Sequence, residues 1–303
     1  MAAVSQLDRG ARRFPVYGWL GAAILLAGQA ALLAGSQIAA TWLTPIMWTG
    51  YFLLADGLLA RLRGHGWLNG YPRDVPLVAL ISVLVWLLFE ACNLRMLNWA
   101  YAGLPSNPWV RNAGYLWSFA TIMPGVFVTA DLAAAAYQRL AGAPTASLQR
   151  RPVGPAWAWF LAGLGLVTIP LLLPAEQAAY LFGAVWIGFI LLLDPINQRL
   201  GLPSLRVELR HGRLRPLAAF LVAGLICGLL WEGWNLQAAK AGGAYWIYTF
   251  PGALRITGLY YGHMPIEGLL GFLPFALELR AFYLLLRTLL GGSRVFGPSP
   301  LGE

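Results

Sequence analysis

The sequence predicts an all-α polytopic membrane protein, with about eight transmembrane helices in two parallel four-helix repeats. Three observations carry this. Of 303 residues, 59% are hydrophobic and 11% charged, with mean hydropathy +0.63, whereas a soluble domain carries about 25% charged residues. Several apolar runs approach 20 residues, enough to cross a hydrocarbon core of about 30 Å. Short motifs also recur in order at a nearly constant offset.

The runs lie at about 17–40, 41–60, 75–95, 113–138, 156–174, 177–197, 216–237 and 257–280. Each is expected to be a helix, because a helix satisfies its own backbone in lipid, and the alternation of a barrel strand is absent. The first run follows Arg9, Arg12 and Arg13, as in a signal peptide, but it is longer than a typical signal core and is read as a retained span.

Arginine fixes the expected orientation. The N-terminus, 61–73 and 139–151 hold three each, and 199–215 holds five. The alternate loops hold only Arg95 with Arg111, then Lys240 with Arg255. The positive-inside rule therefore predicts a multi-pass protein of the cell membrane with both termini cytoplasmic. The net charge of +9 then reflects topology and contact with anionic lipid. Nucleic-acid binding is not indicated, since no basic face interleaved with stacking aromatics occurs in a soluble domain. Cys92 and Cys227 lie in separate spans and form neither a disulfide framework nor a metal-ligand spacing.

The repeats are direct. "WTGYFLLAD" (48–56) returns as "WIGFILLLD" (186–194), and "WLLFEACNL" (86–94) as "GLLWEGWNL" (228–236). "NWAY" (98–101) parallels "YWIY" (245–248), and Met123-Pro124 returns as Met264-Pro265. The offsets are 138, 142, 147 and 141 residues. The chain is accordingly divided into a first repeat (1–139), a cytoplasmic linker (140–155) and a second repeat (156–303). Four spans per half give both halves one orientation, related by an axis along the membrane normal.

Ionisable groups within apolar runs are the strongest functional pointers, because each is costly unless paired or neutral. Asp56 and Asp194, near Arg61 and Arg199, are expected at the interface, snorkelling or arginine-paired. Glu278 and Arg280 are expected to mark the inner end of the last span, and Asp131 has no acidic mate in the second half. Glu90-x-x-Asn93 and Glu232-x-x-Asn235 each place a carboxyl and an amide on one helical face, suited either to a site or to hydrogen bonds between helices.

The stretch "YYGHMPIEGLLGFLPFALELR" (260–280) carries the sharpest signal. With Arg280 at the inner boundary, the helix starts near Thr257 and Glu267 lies about 15 Å deep. His263 and Glu267 then share a face, and Pro265 kinks the helix and frees the carbonyl of Tyr261. The alternative is a helix that begins at Pro265 with Glu267 in its first turn. Burial disfavours a charged carboxylate, and a protonated acid in a dry aromatic pocket can donate to a base as poor as an alkene. Aromatic faces stabilise the resulting cation.

The segment "LLWEGWNLQAAKAGGAYWIYTFPGALRITGLYYGHMPIEGLLGFLPFALE" (229–278) resembles the core of the small membrane-type lycopene cyclase domain, with a weaker echo at 84–130. In that family an acid follows aliphatics and Trp, a Trp-x-Phe/Tyr segment comes next, and a Leu-Pro-x-Glu-Glu helix leads into Phe-rich sequence. Glu232, Trp246-Ile247-Tyr248 and Met264-Pro265-Ile266-Glu267 stand at the matching places. Gly268 stands where the family has its second glutamate, and the first half, Met123-Pro124-Gly125-Val126, has no acid there. The resemblance implies non-redox cyclisation or isomerisation of an isoprenoid or carotenoid-like membrane lipid, without a cofactor. On this reading Glu267 is the proton donor and His263 orients it. Glu232, fixed by Asn235, takes the terminating proton or re-supplies the donor. Trp231, Trp234, Trp246, Tyr248, Tyr261, Glu90 and Asn93 surround the substrate.

Two other classes fit the residues. Parallel repeats can frame the midplane site of a transporter or lipid-handling protein. A metal-dependent enzyme could use His263, Glu267 and Glu232, although His-x-x-x-Glu without a second His or Cys is a weak ligand pattern, and no metal is expected.

Overall fold

The computed structural model describes residues 13–141, 152–292 and 295–298. Arg9, Arg12 and most of the 140–155 linker lie outside the described residues. The first half runs α1 (Val16–Leu33), α2 (Gln37–Thr41), α3 (Leu43–Arg63), α4 (Trp67–Gly70), α5 (Val75–Met96), β1 (Trp99–Ala102) and α6 (Pro108–Ala141). The second runs α7 (Ala156–Leu172), α8 (Ala175–Ala178), α9 (Phe182–Arg199), α10 (Leu205–Arg210), α11 (Leu214–Lys240), β2 (Tyr245–Tyr248), a 3₁₀ turn (Gly252–Leu254), β3 (Tyr260–Tyr261), β4 (Met264–Pro265) and α12 (Ile266–Leu289).

Among the described residues, α1, α3, α5, α6, α11 and α12 are long and apolar enough to cross a membrane. The two remaining expected spans are also helices, α7 of 17 and α9 of 18 residues. The first expected span, 17–40, ends early at Leu33. The chain turns at Gly35 (φ 79°), and the Ser36 hydroxyl then caps α2 by accepting the Ala39 N–H at 3.3 Å.

Packing follows one scheme in both parts of the chain. α1 lies on α3 and α7 on α9; α3 lies on α6 and α9 on α12; α5 lies on α6 and α11 on α12. Side-chain-free crossings bring the first pairs together. A Cβ at Gly21 would sit 2.5 Å from the Leu54 nitrogen, and one at Gly163 2.2 Å from that of Leu192. α11 also packs on α6, and β1 pairs antiparallel with β2, with Trp99 opposite Tyr248 and Tyr101 opposite Trp246. The two parts are therefore joined in the middle by helix contact and by a ribbon.

Asp56 and Asp194 do not pair with Arg61 and Arg199; they hold the short helices that follow. Asp56 accepts the Trp67 N–H at 2.5 Å and the Leu68 N–H at 3.0 Å. Asp194 accepts the Leu205 N–H at 2.6 Å, the Arg206 N–H at 3.0 Å and the Ser204 hydroxyl at 2.8 Å. Free amides at a helix start need acceptors, and a buried carboxylate supplies two. Asp131 is also engaged: it pairs with Arg63 at 3.1 Å and accepts the Trp67 indole N–H at 2.9 Å.

The last span corrects the sequence expectation. Pro265 does not kink a helix begun near 257; it caps α12 (φ −56°, ψ 142°), and Glu267 lies in the first turn. The late start does bury Arg280, but not alone. Its guanidinium forms a two-pronged bond with Glu208 of α10, Nη1 to Oε2 at 2.8 Å and Nη2 to Oε1, the geometry a planar guanidinium favours. It also lies 5.5 Å from the centre of the Phe220 ring. Glu278 is not its partner, being fully buried with neither carboxyl oxygen hydrogen-bonded.

Candidate functional site

A cavity of about 580 Å³ lies between the two parts. Seven tryptophans, six phenylalanines and five tyrosines line it. Its α3/α6 side includes Trp42, Trp48, Gly114 and Phe119, and its α9/α12 side Phe182, Trp186, Gly271 and Phe275. The β1–β2 ribbon forms part of the wall. Residues two apart in a strand share a face, as do cross-strand partners, so Trp99, Tyr101, Trp246 and Tyr248 form one aromatic face, and all four line the cavity.

Each Glu-x-x-Asn pair holds one strand of that ribbon. Asn93 Nδ2 donates to the Trp99 carbonyl at 2.9 Å, and its Oδ1 accepts the Asn98 N–H at 2.8 Å. Asn235 Nδ2 donates to the Trp246 carbonyl at 3.0 Å, and its Oδ1 accepts the Trp246 N–H at 2.9 Å. The amide takes the place of a neighbouring strand and satisfies backbone groups that would be costly to bury unpaired.

One helical turn earlier, each glutamate meets a tyrosine. Glu90 Oε1 accepts the Tyr101 hydroxyl at 2.5 Å and the indole N–H groups of Trp86 and Trp99 at 2.8 and 3.1 Å. Glu232 Oε2 accepts the Tyr248 hydroxyl at 3.1 Å and the Asn235 amide at 3.4 Å. Its Oε1 accepts the His263 backbone N–H at 2.6 Å. Burial first, then the nearby Glu90, pushes the Tyr101 phenol well above its ordinary value. Burial and Glu232 do the same for Tyr248. Both phenols stay protonated and both line the cavity, whereas neither Glu90 nor Glu232 does. The two carboxyls reach the cavity only through wall residues bonded to them, Glu90 through Tyr101, Trp86 and Trp99 and Glu232 through Tyr248.

The remaining sequence candidates divide. Glu267 lines the cavity; its Oε1 accepts the Thr257 N–H at 2.5 Å, while Oε2 has no partner and is sheltered. His263 does not orient it from a helical turn above. His263 lies in the β3–β4 turn, where its ring stacks on Tyr245 at 5.8 Å, because the chain at 260–265 is a hairpin. Trp231 lines the cavity and contacts Trp48, Trp86 and Trp246. Trp234 stands behind Trp48, 5.1 Å away edge to face. Tyr261 donates to the Leu229 carbonyl at 3.0 Å and braces the hairpin on α11. Trp42, Trp48, Trp86, Trp186 and Arg111 also line the cavity, and sequence reasoning did not single them out as site residues. The one available signal was the doubled Trp-x-Tyr following each Glu-x-x-Asn.

Among the described residues, no three His, Cys, Asp or Glu side chains converge as a metal site would need. The arrangement can enclose an apolar chain against aromatic faces, with one carboxyl and five phenols within its wall, two of the phenols bonded to glutamates behind it. Compared with protein-family models, curated proteins and solved structures, the chain matches none.

Proposed function

We propose that the chain is a multi-pass protein of the cell membrane with both termini cytoplasmic. On this reading it is built as two parallel four-helix halves, and it binds an isoprenoid-like chain between them and cyclises or isomerises it without redox chemistry. Twofold recurrence supports the duplicated, eight-span arrangement. The Asp56 and Asp194 caps, the Asn93 and Asn235 clamps and the Glu–Tyr pairs occur at matching places in each part. Arginine-rich loops support the orientation.

The observation that carries the catalytic reading is Glu267, the one carboxyl among the lining residues of a cavity rich in aromatic side chains. In the proposed cycle the Glu267 carboxyl gives its proton to an alkene carbon of the bound chain. The resulting cation is held against aromatic faces. It then loses a different proton to the Tyr248 oxygen as the Tyr248 proton passes to Glu232. The product has the mass of the substrate, and solvent returns the protons. Comparison of lipid extracts from cells with and without the gene, including isoprenoid-fed cultures, tests this. An isomer of unchanged mass and shifted retention is expected, and Glu267→Gln should lower its formation by about 10²–10⁴-fold, the usual range for general acid–base catalysis. Full activity of that variant would rule out the proton-donor role.

A second reading, lipid handling or transport, is favoured by the cavity's edge. Ile256 and Leu270 line it and are also exposed, which suits lateral entry of a lipid. A changed distribution of lipid across the membrane with no new species would select it.

A further inference from the structure

One stretch of the cavity wall is tied to the helices at a single side chain. Phe250, Leu254 and Ile256, in the segment 250–258 between β2 and β3, line the cavity, while residues 252, 253 and 255–258 are exposed. The chain on either side is anchored. Thr249 donates its N–H to the Asn98 carbonyl at 2.9 Å and its hydroxyl to the Leu97 carbonyl at 2.6 Å. The hairpin beyond is held by Glu232 and by the Leu229 carbonyl. Within the segment the backbone of the turn bonds to itself, Leu254 N–H to Pro251 and Arg255 N–H to Gly252. Among the described residues, the hydrogen bonding of 250–258 to any helix is with Glu267. Its carboxyl accepts the Thr257 N–H at 2.5 Å, and the Ile256 N–H and Thr257 hydroxyl also face it. A segment with few buried contacts and one such tie opens at a small free-energy cost. The rim beside it is apolar: Ile256 is 82%, Leu259 63% and Leu270 65% exposed. The Leu259 carbonyl accepts the Ile266 N–H at 3.0 Å, which makes that rim continuous with α12, a helix long and apolar enough to cross a membrane. A continuous exposed apolar rim suits hydrocarbon rather than water.

We infer that residues 250–258 are a lid over a lateral mouth of the cavity, latched by Glu267, and that an apolar ligand passes beneath it between the bilayer and the site. Glu267 then has a second role, holding the lid closed, that needs an acceptor oxygen but no proton to give. This rests on the reading of the cavity as the site of an isoprenoid-like chain and adds the route by which the chain enters and leaves.

Stopped-flow quenching of tryptophan fluorescence by all-trans-retinol, an isoprenoid whose polyene accepts energy from the indoles lining the cavity, provides the test in purified full-length protein in neutral detergent. A latch limits entry and exit alike, whereas a ligand contact acts mainly on exit. Glu267→Leu should therefore raise the association and dissociation rates together by about tenfold or more, the scale of one hydrogen bond to a charged group, with Kd changed by less than about threefold. Glu267→Gln keeps an acceptor oxygen and should leave both rates within about threefold of wild type. With retinol at about ten times its Kd, hydrogen exchange of the Thr257 amide should slow about tenfold, as linkage requires if only the closed lid holds the ligand. Cys92 and Cys227 are buried, so a bimane on Leu259→Cys in nanodiscs reports the lid alone, and lipid-borne doxyl groups should quench it. Unchanged rates in Glu267→Leu protein that elutes as a monodisperse species, or Thr257 exchange that ignores retinol, overturns the lid while leaving the cavity reading intact. A rise in dissociation alone, with Kd weakened in proportion, makes Glu267 a ligand contact and overturns the latch. Bimane quenching by a water-soluble quencher only overturns entry from the bilayer. Failure of retinol to bind the wild type overturns both the lid and the cavity reading.

Discussion

Glu90 and Glu232 begin from the same frame, with an asparagine three residues on and a tyrosine in the following strand, yet their surroundings diverge. Glu90 gathers side chains only, two indoles and a phenol on one oxygen. Glu232 divides its oxygens between a phenol and the backbone of the hairpin at His263. The difference originates in the fourth long helix of each part. In the first, residues 103–107 link β1 directly to α6; in the second, residues 249–265 form a 3₁₀ turn and a short hairpin before α12 begins, and Phe250, Leu254, Ile256 and Met264 line the cavity. The motif fixes where the carboxyl is, and the neighbouring segment fixes what it holds.

Ion pairs give the largest expected contrast. Arg280 and Glu208 are both buried, whereas the Arg63 side chain opposite Asp131 is 29% exposed. Arg280→Met should cost about 3–5 kcal/mol, because it strands a buried carboxylate, and Arg63→Met less, about 1–3 kcal/mol, because buried Asp131 keeps the Trp67 indole and the Gly297 N–H as donors. Thermal unfolding in detergent measures both, and equal losses would remove the distinction between the halves. The double replacement Glu208→Leu with Arg280→Met should recover most of the loss.

The carboxyls themselves come next. Glu232→Gln should weaken the anchor of the 249–265 segment by about 1–3 kcal/mol. Its amides would then exchange hydrogen faster by roughly one to two orders of magnitude, whereas Glu90→Gln should leave that segment unchanged. Uniform exchange in both variants would show that Glu232 does not hold the hairpin. Gly262→Ala probes the same contact from the other side. Gly262 has φ +64°, and a Cβ there would sit 2.6 Å from Glu232 Oε1, so a loss of about 1–2 kcal/mol from the left-handed backbone should accompany faster hairpin exchange. The smallest contrast is an expected equality: Asn93→Ala and Asn235→Ala should each cost about 1–3 kcal/mol by orphaning strand backbone groups, and a clear inequality would mean that the two clamps are not equivalent.

Much of this was legible in the sequence. Apolar runs locate the long helices, since in such runs a helix is the conformation that satisfies the backbone locally. The doubled Glu-x-x-Asn and Trp-x-Tyr motifs mark equivalent positions in the two parts, but the ribbon they anchor was not legible: the pairs read as a site or as bonds between helices, and no strand was expected. The hairpin before α12 was not legible, because the choice between a kink and a cap at Pro265 turned on Arg280. Its partner Glu208 lies 72 residues away on a short helix whose charges read as an ordinary basic loop. An aromatic pocket at Glu267 was expected, but most of its lining was hidden. Trp42, Trp48 and Trp186 are chemically silent in an aromatic-rich chain, and Arg111 reads as a topology marker.

The ribbon has a consequence for how the protein is made. β1 finds its only strand partner among the described residues in β2. The edge presented by Trp99 must therefore wait for Tyr248 to be synthesised, about 7–30 s later at 5–20 residues per second. Until then the aromatic face of β1 and the donors around Glu90 have no counterpart across the cavity. The wall is completed late in translation, after α11 has been placed, and during that interval the nascent first half is the form on which membrane chaperones and proteases would act.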